Sequence, residues 1–371
     1  MSISHIEIFK AGLPLKRPFR IAIGETSVTE TIFVRVHTDG GLYGLGEANL
    51  FRPVVGETRE AALANARDLA QWLIGRDPLD IDGCVAGMRA FLPNNATIRS
   101  AFDMALYDLL GKTAQLPLYA VLAGPRREIV TDNTVGIDTP ETMAAHALEF
   151  RERGFTAVKV KLGAGVAEDV ARVAAIRDVL GPDIAIRIDA NQGWDRVEAL
   201  QALRRLSAFD IQYCEQPVAA WDFEGLAAAR SLGAIPIMAD EALFDEHDAM
   251  RLVTTGACDY FNIKLAKSGG IHVALKINDL AEATGIKCMV GCMTETRLGL
   301  TAAAHLVSSR GNIVFADLDG ADMLREDPVV GGMVYGEGGR IMVPDAPGLG
   351  ADLDAGFIAG LECETIGRNA E

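Results

Sequence analysis

Residues 155–192 read FTAVKVKLGAGVAEDVARVAAIRDVLGPDIAIRIDANQ. A short apolar run of β type ends in polar residues, a helical stretch follows, and a second apolar run again ends in polar residues. The same grammar continues in both directions, through TDNTVGI (131–137), IQYCEQP (211–217), IPIMADE (235–241), YFNIKLAKSGG (260–270), KCMVGCMTE (287–295) and VFADLDG (314–320). The polar endings serve as markers: Thr134, Lys161, Asp189, Glu215, Asp240, Lys264, Cys292 and Asp319. Their spacings are 27, 28, 26, 25, 24, 28 and 27 residues, the length that one strand plus one helix with short loops requires. Eight strands at this interval predict an α/β fold of the (β/α)8 barrel type. A doubly wound open sheet is the competing arrangement, but it places ligands at one switch point and needs no polar residue at every strand end.

Outside this region the pattern changes. Residues 2–14 and 30–48 read as strands, with Asp39-Gly40-Gly41 as a hairpin turn. Residues 58–75 and 97–112 read as helices, the second on the apolar face Ile98, Phe102, Ala105, Leu106 and Leu109. The first 125 residues are thus an α+β unit, and a Gly- and Pro-punctuated tail begins near residue 340. A chain of 371 residues accommodates two such domains. The net charge of -16 argues against nucleic acid and anionic membranes as partners. No run of 18 apolar residues predicts a membrane span. The start lacks a signal-peptide pattern, and the six cysteines form no CxxC pair. The expectation is a cytoplasmic homo-oligomer acting on a small molecule.

In a barrel the C-terminal strand ends converge on one open face. Three consecutive ends supply carboxylates: Asp189, Glu215 and Asp240. Neighbouring strands lie about 4.8 Å apart, so these acids repel one another unless a cation joins them. Oxygen-only ligands favour Mg²⁺; Cys214 alternates away from Glu215 and offers zinc no thiolate. Lys159 and Lys161 are two residues apart, so both point into the mouth while Val158 and Val160 face the helices. Two ammonium groups about 6 Å apart repel by roughly 3 kcal/mol at an effective dielectric near 20. That is about two pK units, enough for one lysine to act as a base. Lys264 ends the sixth strand, diametrically opposite the second. Lys161 and Lys264 then flank one carbon. One removes a proton α to a carboxylate, Mg²⁺ stabilises the enediolate, and the other lysine protonates the opposite face. Lys267 reads as a solvated or structural lysine. Asp317 and Asp319 share a face of the last strand, far from the trio in strand order, and suit a substrate ammonium.

Taken together, KVK (159–161), IDAN (188–191), EQP (215–217), ADE (239–241) and NIKLAKSGG (262–270) resemble the enolase superfamily, in its muconate lactonizing enzyme subgroup. The likeness runs over essentially the whole chain. It implies a (β/α)7β TIM-type barrel over residues 126–340, an N-terminal α+β capping domain over 1–125, and a C-terminal segment, 341–371, packing back on the cap. It implies one Mg²⁺ on Asp189, Glu215 and Asp240, Lys161 and Lys264 as the acid/base pair, and Lys159 on the substrate carboxylate. DNTVGI (132–137), MVGCMTETRLG (289–299) and DLD (317–319) are most similar to dipeptide epimerases of the L-Ala-D/L-Glu type. There the paired acids hold the α-amino group, and by position Thr134, Cys292 and Thr294 line the pocket.

Ala-Glu epimerases also carry an arginine in an early loop. Here that loop, PFRIAIGETSV (18–28), has Arg20 near its start and Glu25 where the arginine positions fall. Glu25 would repel an acidic side chain, and EANLFRPVVGET (47–58) offers Phe51 and two valines. The expectation is therefore a dipeptide whose second residue is neutral, hydrophobic or basic. Muconate cycloisomerisation, o-succinylbenzoate synthesis and N-acyl amino acid racemisation need the same metal and lysines and stand as alternatives. A non-catalytic, ligand-binding barrel is the rival from another class.

Overall fold

A computed structural model describes residues 1–367. The chain opens with an antiparallel meander, β1 (Ile3–Ile21), β2 (Gly24–Thr38) and β3 (Tyr43–Asn49). The β2–β3 turn falls at Asp39-Gly40-Gly41, with Gly41 at φ +81°, a conformation that costs glycine nothing. Three long helices follow, α1 (Arg59–Leu73), α2 (Ile81–Phe91) and α3 (Ala96–Ala114), flanked by four-residue helical turns at Arg52–Val55 and Leu118–Val121.

Two features here were not read from the sequence. Helix α2 buries Ile81, Cys84, Val85 and Met88 at helical spacing. It also contains Gly83 and Gly87, which weaken the propensity signal. The segment expected as an early loop is instead the tip of a long hairpin. Phe19 pairs with Thr26, Arg20 with Glu25 and Ile21 with Gly24. Its turn, Ala22-Ile23, lacks the Asn-Gly or Asp-Gly pair that usually announces a two-residue hairpin turn.

The barrel alternates strand and helix: β4 (Asn133–Val135), α4 (Pro140–Glu152), β5 (Ala157–Lys161), α5 (Val166–Leu180), β6 (Ala185–Asp189) and α6 (Arg196–Leu206). It continues with β7 (Ile211–Glu215), α7 (Phe223–Ser231), β8 (Ile237–Ala239), α8 (Glu246–Thr255), β9 (Tyr260–Ile263), α9 (Ile271–Ala283), β10 (Lys287–Val290), α10 (Arg297–Ser309) and β11 (Ile313–Ala316). The eight strands form one sheet in sequential order, curled until its ends meet at a parallel bridge between Thr131 and Ala316. A 3-10 turn, Gly320–Met323, follows the last strand where an eighth helix would start. The architecture is therefore (β/α)7β rather than a full (β/α)8 repeat.

Alternation sorts the strand residues into two environments. Val158, Val160, Ile186, Ile188, Cys214, Ile237, Phe261 and Ile263 are fully buried in the main apolar core. The inward positions have a second, smaller core of Tyr213, Met238 and Met289, packed by Tyr260 and Phe315. Arg187 lies over the rings of Tyr213 and Phe315. The barrel interior is thus closed beneath the site, and one step further along each strand the inward residues turn polar.

Buried carboxylates dock the N-terminal domain onto the barrel. Glu47 in β3 accepts bonds from the N–H and hydroxyl of Thr296 (2.9 and 2.7 Å) and the N–H of Gly299 (2.9 Å), at the start of α10. Asp103 in α3 accepts the N–H groups of Ile271 (2.5 Å) and His272 (3.3 Å). It caps α9 from outside, because the residue at that end is Gly270. A Cβ on Gly270 would lie 2.2 Å from Asp103, and its φ is +114°. The tail pairs with the barrel end first, through Arg340–Met342 on Ile129–Val130 and Ala351–Leu353 on Val329–Gly331. Among the described residues of the tail, only β12 (Glu362–Gly367) joins the cap sheet, beside β1.

Burial pushes the Glu47 carboxyl up to about 8, against the opposing effect of its bonds from Thr296. Its folded value thus exceeds the ordinary unfolded one of about 4.3. The stability it contributes is complete below that value and is lost as pH rises through about 8. Thermal denaturation across this range is expected to show wild type losing stability relative to Glu47→Gln. Parallel curves for the two proteins would contradict it.

Candidate active site

The metal-type trio sits where the register brings it. Lys161 pairs with Asp189, and Asp189 with Glu215, in direct Cα register across β5, β6 and β7. Asp240 follows the end of β8. All three carboxylates are fully buried, and their oxygens lie within 4.8 Å of one another. Lys161 Nζ donates to Asp189 Oδ2 at 2.6 Å, and Lys264 Nζ to Asp240 Oδ2 at 2.9 Å. The two lysines therefore approach the acids from opposite walls, strands two and six of eight. Burial opposes ionisation of every acid here. For Asp189 the Lys161 and Lys159 ammoniums outweigh burial and hold its carboxyl below the usual range. Lys264 and Lys267 hold Asp240 well below. Glu215, buried beside the charge of Asp189, is pushed well above.

These residues fit a hard divalent cation. The donor set is all oxygen. The carboxylate oxygens converge within 4.8 Å of one another, with the Lys159 ammonium 2.8 Å from Glu215 Oε2 and the Lys267 ammonium 2.5 Å from Asp240 Oδ1. Three buried carboxylates this close repel one another, which favours a cation among them.

Above the trio lies a cavity walled by both domains. The barrel supplies Lys161, Lys264, Asn191, Thr134, Cys292 and Asp319. The cap supplies Phe19 and Ile21 from the hairpin tip and Phe51 and Val54 from the short helical turn after β3, and Met293 and Met323 complete the apolar part. Glu25 does not line this cavity. It faces the neighbouring one, between β2 and the 50–53 segment, because its cross-strand pair with Arg20 leaves Phe19 and Ile21 facing inward. The expectation that Glu25 faces a substrate side chain is corrected accordingly: Glu25 stands outside this cavity, whose cap-side wall is apolar.

The remaining expected residues divide. Thr134 lines the cavity and its N–H donates to Asp319 Oδ2 at 2.7 Å. Cys292 Sγ lies 3.8 Å from Asp319 Oδ1, and Cys292, Asp317 and Asp319 form a second convergent group. Thr294 borders the cavity, but its hydroxyl donates to Thr29 at 2.8 Å and Asn49 donates to its carbonyl. It ties the cap to the barrel. Lys159 is fully buried below the cavity. Its ammonium lies 2.6 Å from Asp317, 2.8 Å from Glu215 and 3.4 Å from Asp189. Burial favours its neutral form, but the three carboxylates outweigh it and raise its pKa well above the ordinary value. Lys264 is raised in the same way by Asp240 and Glu215. Ammonium–ammonium repulsion alone therefore does not neutralise a lysine here. Asp317 is also closer to the trio than strand order implied, because Lys159 bridges them.

Several residues of the site carry no strong sequence signal. Lys267 is fully buried and pairs with Asp240, so it is structural rather than solvated. Asn262 donates to Glu215 Oε1 at 2.8 Å. Asn191 donates to Glu241 at 3.1 Å and has a φ of +40°. Asn191 and Glu241 follow metal-type acids in sequence, and that adjacency was the available clue.

This fold and this constellation are matched by known proteins. The chain belongs to the mandelate racemase/muconate lactonizing enzyme family: the family's N-terminal domain matches residues 3–123, and the enolase C-terminal domain-like model matches residues 142–356. A D-Ala-D/L-Ala epimerase from Cytophaga hutchinsonii is 43% identical, over 98% of this chain and 99% of its own. A hydrophobic dipeptide epimerase from Enterococcus faecalis is 41% identical, over 94% and 99%. A crystal structure of the dipeptide epimerase from Cytophaga hutchinsonii, complexed with Mg and the dipeptide D-Ala-L-Val, superposes with a TM-score of 0.97 at 42% identity, covering 99% of this chain and 100% of that one.

If the trio is the cation site, isothermal calorimetry of wild type with Mg²⁺ should give one site per chain. Glu215→Gln or Asp240→Asn should weaken it by more than about tenfold, since even loss of supporting residues costs that much. Unchanged Mg²⁺ affinity in either variant would remove the trio from the metal site.

Proposed function

We propose that this protein is a Mg²⁺-dependent dipeptide epimerase, an isomerase that inverts the α-carbon of the C-terminal residue by 1,1-proton transfer. The observation that carries the reading is the placement of Lys161 and Lys264, each reaching one cavity from opposite barrel walls and each bonded to a carboxylate of the trio. Relatives that share the whole chain length act on dipeptides, and the present site contains every group such a reaction needs.

The roles follow from the chemistry. Asp189, Glu215 and Asp240 would hold the cation. Mg²⁺ bound there supplies positive charge that stabilises the dianion left by α-proton removal and favours the neutral form of a neighbouring lysine. Lys161 and Lys264 face the α-carbon from its two sides. The neutral lysine takes the proton from carbon onto Nζ; the protonated one returns a proton to the opposite face. No net proton is consumed, and the reverse reaction exchanges the two roles. Lys159 holds Asp317 and Glu215 in place beneath the substrate. Asp317 and Asp319, beside Thr134 and Cys292, receive the ammonium of the N-terminal residue. Ile21, Phe51 and Val54 face the C-terminal side chain, which selects a hydrophobic residue there. An acidic one would bury its charge against an apolar wall.

Incubation with L,L-dipeptides in D2O tests the chemistry directly. Deuterium should enter the α-carbon of the C-terminal residue, and both epimers should appear. Lys161→Ala and Lys264→Ala should each reduce inversion by about 10² to 10⁴. Each should still exchange the α-proton of the one epimer that faces the surviving lysine. Absence of exchange from a panel of Mg²⁺-loaded reactions would end the reading.

Asp317 and Asp319 separate it from its superfamily alternatives. Asp319→Asn should raise KM for a free dipeptide far more than for its N-acetylated form. Equal effects on both would favour an N-acyl amino acid racemase.

A further inference from the structure

A second cavity adjoins the catalytic one. Phe19 of the cap hairpin, Thr134 of the first barrel strand and Met323 of the 3-10 turn after the last one are walls of both. The far side is lined by Lys16, Arg17 and Arg20 of the hairpin and by Arg153 of the loop after α4. Its acids are Asp138, Glu149 and Asp322. Asp322 is already saturated, by Lys16 (3.4 Å), Arg153 (2.8 Å) and Asn133 (3.0 Å). Asp138 accepts the N–H of Thr139. Arg17 holds Glu149 only at 3.5 Å, and Arg20 makes no ion pair among the described residues. On a chain of net charge -16, this is a local excess of cations with uncommitted hydrogen-bond donors.

Its position gives it a role in the same reaction. The ammonium of a dipeptide's N-terminal residue at Asp319 stands against Thr134, which donates to that acid. The N-terminal side chain leaves the same carbon that carries the ammonium, and Phe19, Thr134 and Met323 line the same cavity as Asp319. The cationic cavity lies directly behind them. We propose that this cavity receives the side chain of the substrate's N-terminal residue and favours one that ends in a carboxylate, glutamate above all. The inference rests on the dipeptide-epimerase reading of the neighbouring cavity. It assigns the two side chains of the substrate to two walls: an apolar one for the C-terminal residue and a basic one for the N-terminal residue.

The test compares Glu-Leu with its neutral isostere Gln-Leu, and with Ala-Leu as a reference, on the Mg²⁺-loaded enzyme. The kcat/KM ratio of Glu-Leu to Gln-Leu is expected to be about fivefold, the size of a partly exposed charge interaction. It should fall toward one in the double variant Arg17→Gln/Arg20→Gln. It should also fall toward one in wild type as salt rises, because exposed charges are screened. The salt series decides the matter if the double variant fails to fold. A wild-type ratio of one or less, or a ratio insensitive to salt, overturns the proposal while turnover of Ala-Leu leaves the epimerase reading standing. Failure of all three dipeptides to exchange or invert would instead count against the epimerase reading, and this inference would fall with it.

Discussion

The structure depends on one constraint: alternate residues of a closed parallel barrel must share an interior with almost no water. Apolar side chains satisfy that interior at the level of Tyr213, Met238 and Met289. One step higher, Asp189, Glu215, Asp240 and Asp317 face inward, and so do Lys159 and Lys161 on β5 and Lys264 after β9. An isolated buried charge costs several kcal/mol, so no member of this group is tolerable alone. Lys161 answers Asp189, Lys264 and Lys267 answer Asp240, and Lys159 answers Asp317 and Glu215 together. The lysine ammoniums are thus held in place by the same pairing that makes their burial possible.

The work is divided between the two domains. Rigid strand ends hold the acids and lysines, where small displacements are costly. The apolar walls of the cavity come from the hairpin tip and from residues 51–55, a short helical turn with its N-cap, which belong to the cap. Glu47 and Asp103 keep the two parts in register by accepting helix N-terminal N–H groups across the interface. Chemistry and selection are therefore adjacent in space but built on different elements.

Much of this was legible in the sequence. The spacing of polar strand ends predicted the strands, and period two predicted that Lys159 and Lys161 share a side and that Cys214 turns away from Glu215. Other features were not legible. The hairpin tip has no turn signature, and helix α2 is diluted by two glycines. Glu25 belongs to an adjacent cavity because cross-strand pairing, not sequence proximity to Phe19, decides which way it faces. Thr294 binds the cap because β2 and β3 bring Thr29 and Asn49 against it. Lys159 bridges Asp317 and Glu215 because the barrel closes, which removes the distance that strand order suggests.

Sequence alone determined the inventory: which residue types stand at each strand end, on which side of each strand, and at what interval. That information is local, because alternation and helix length act within about 30 residues. Tertiary structure alone decided the partners. Pairing of Lys159 with Asp317, docking of Glu47 on α10, and the apolar and basic walls on either side of Phe19 join residues far apart in the chain. Their contacts arise from sheet closure and domain packing, and no short-range rule of the backbone encodes them.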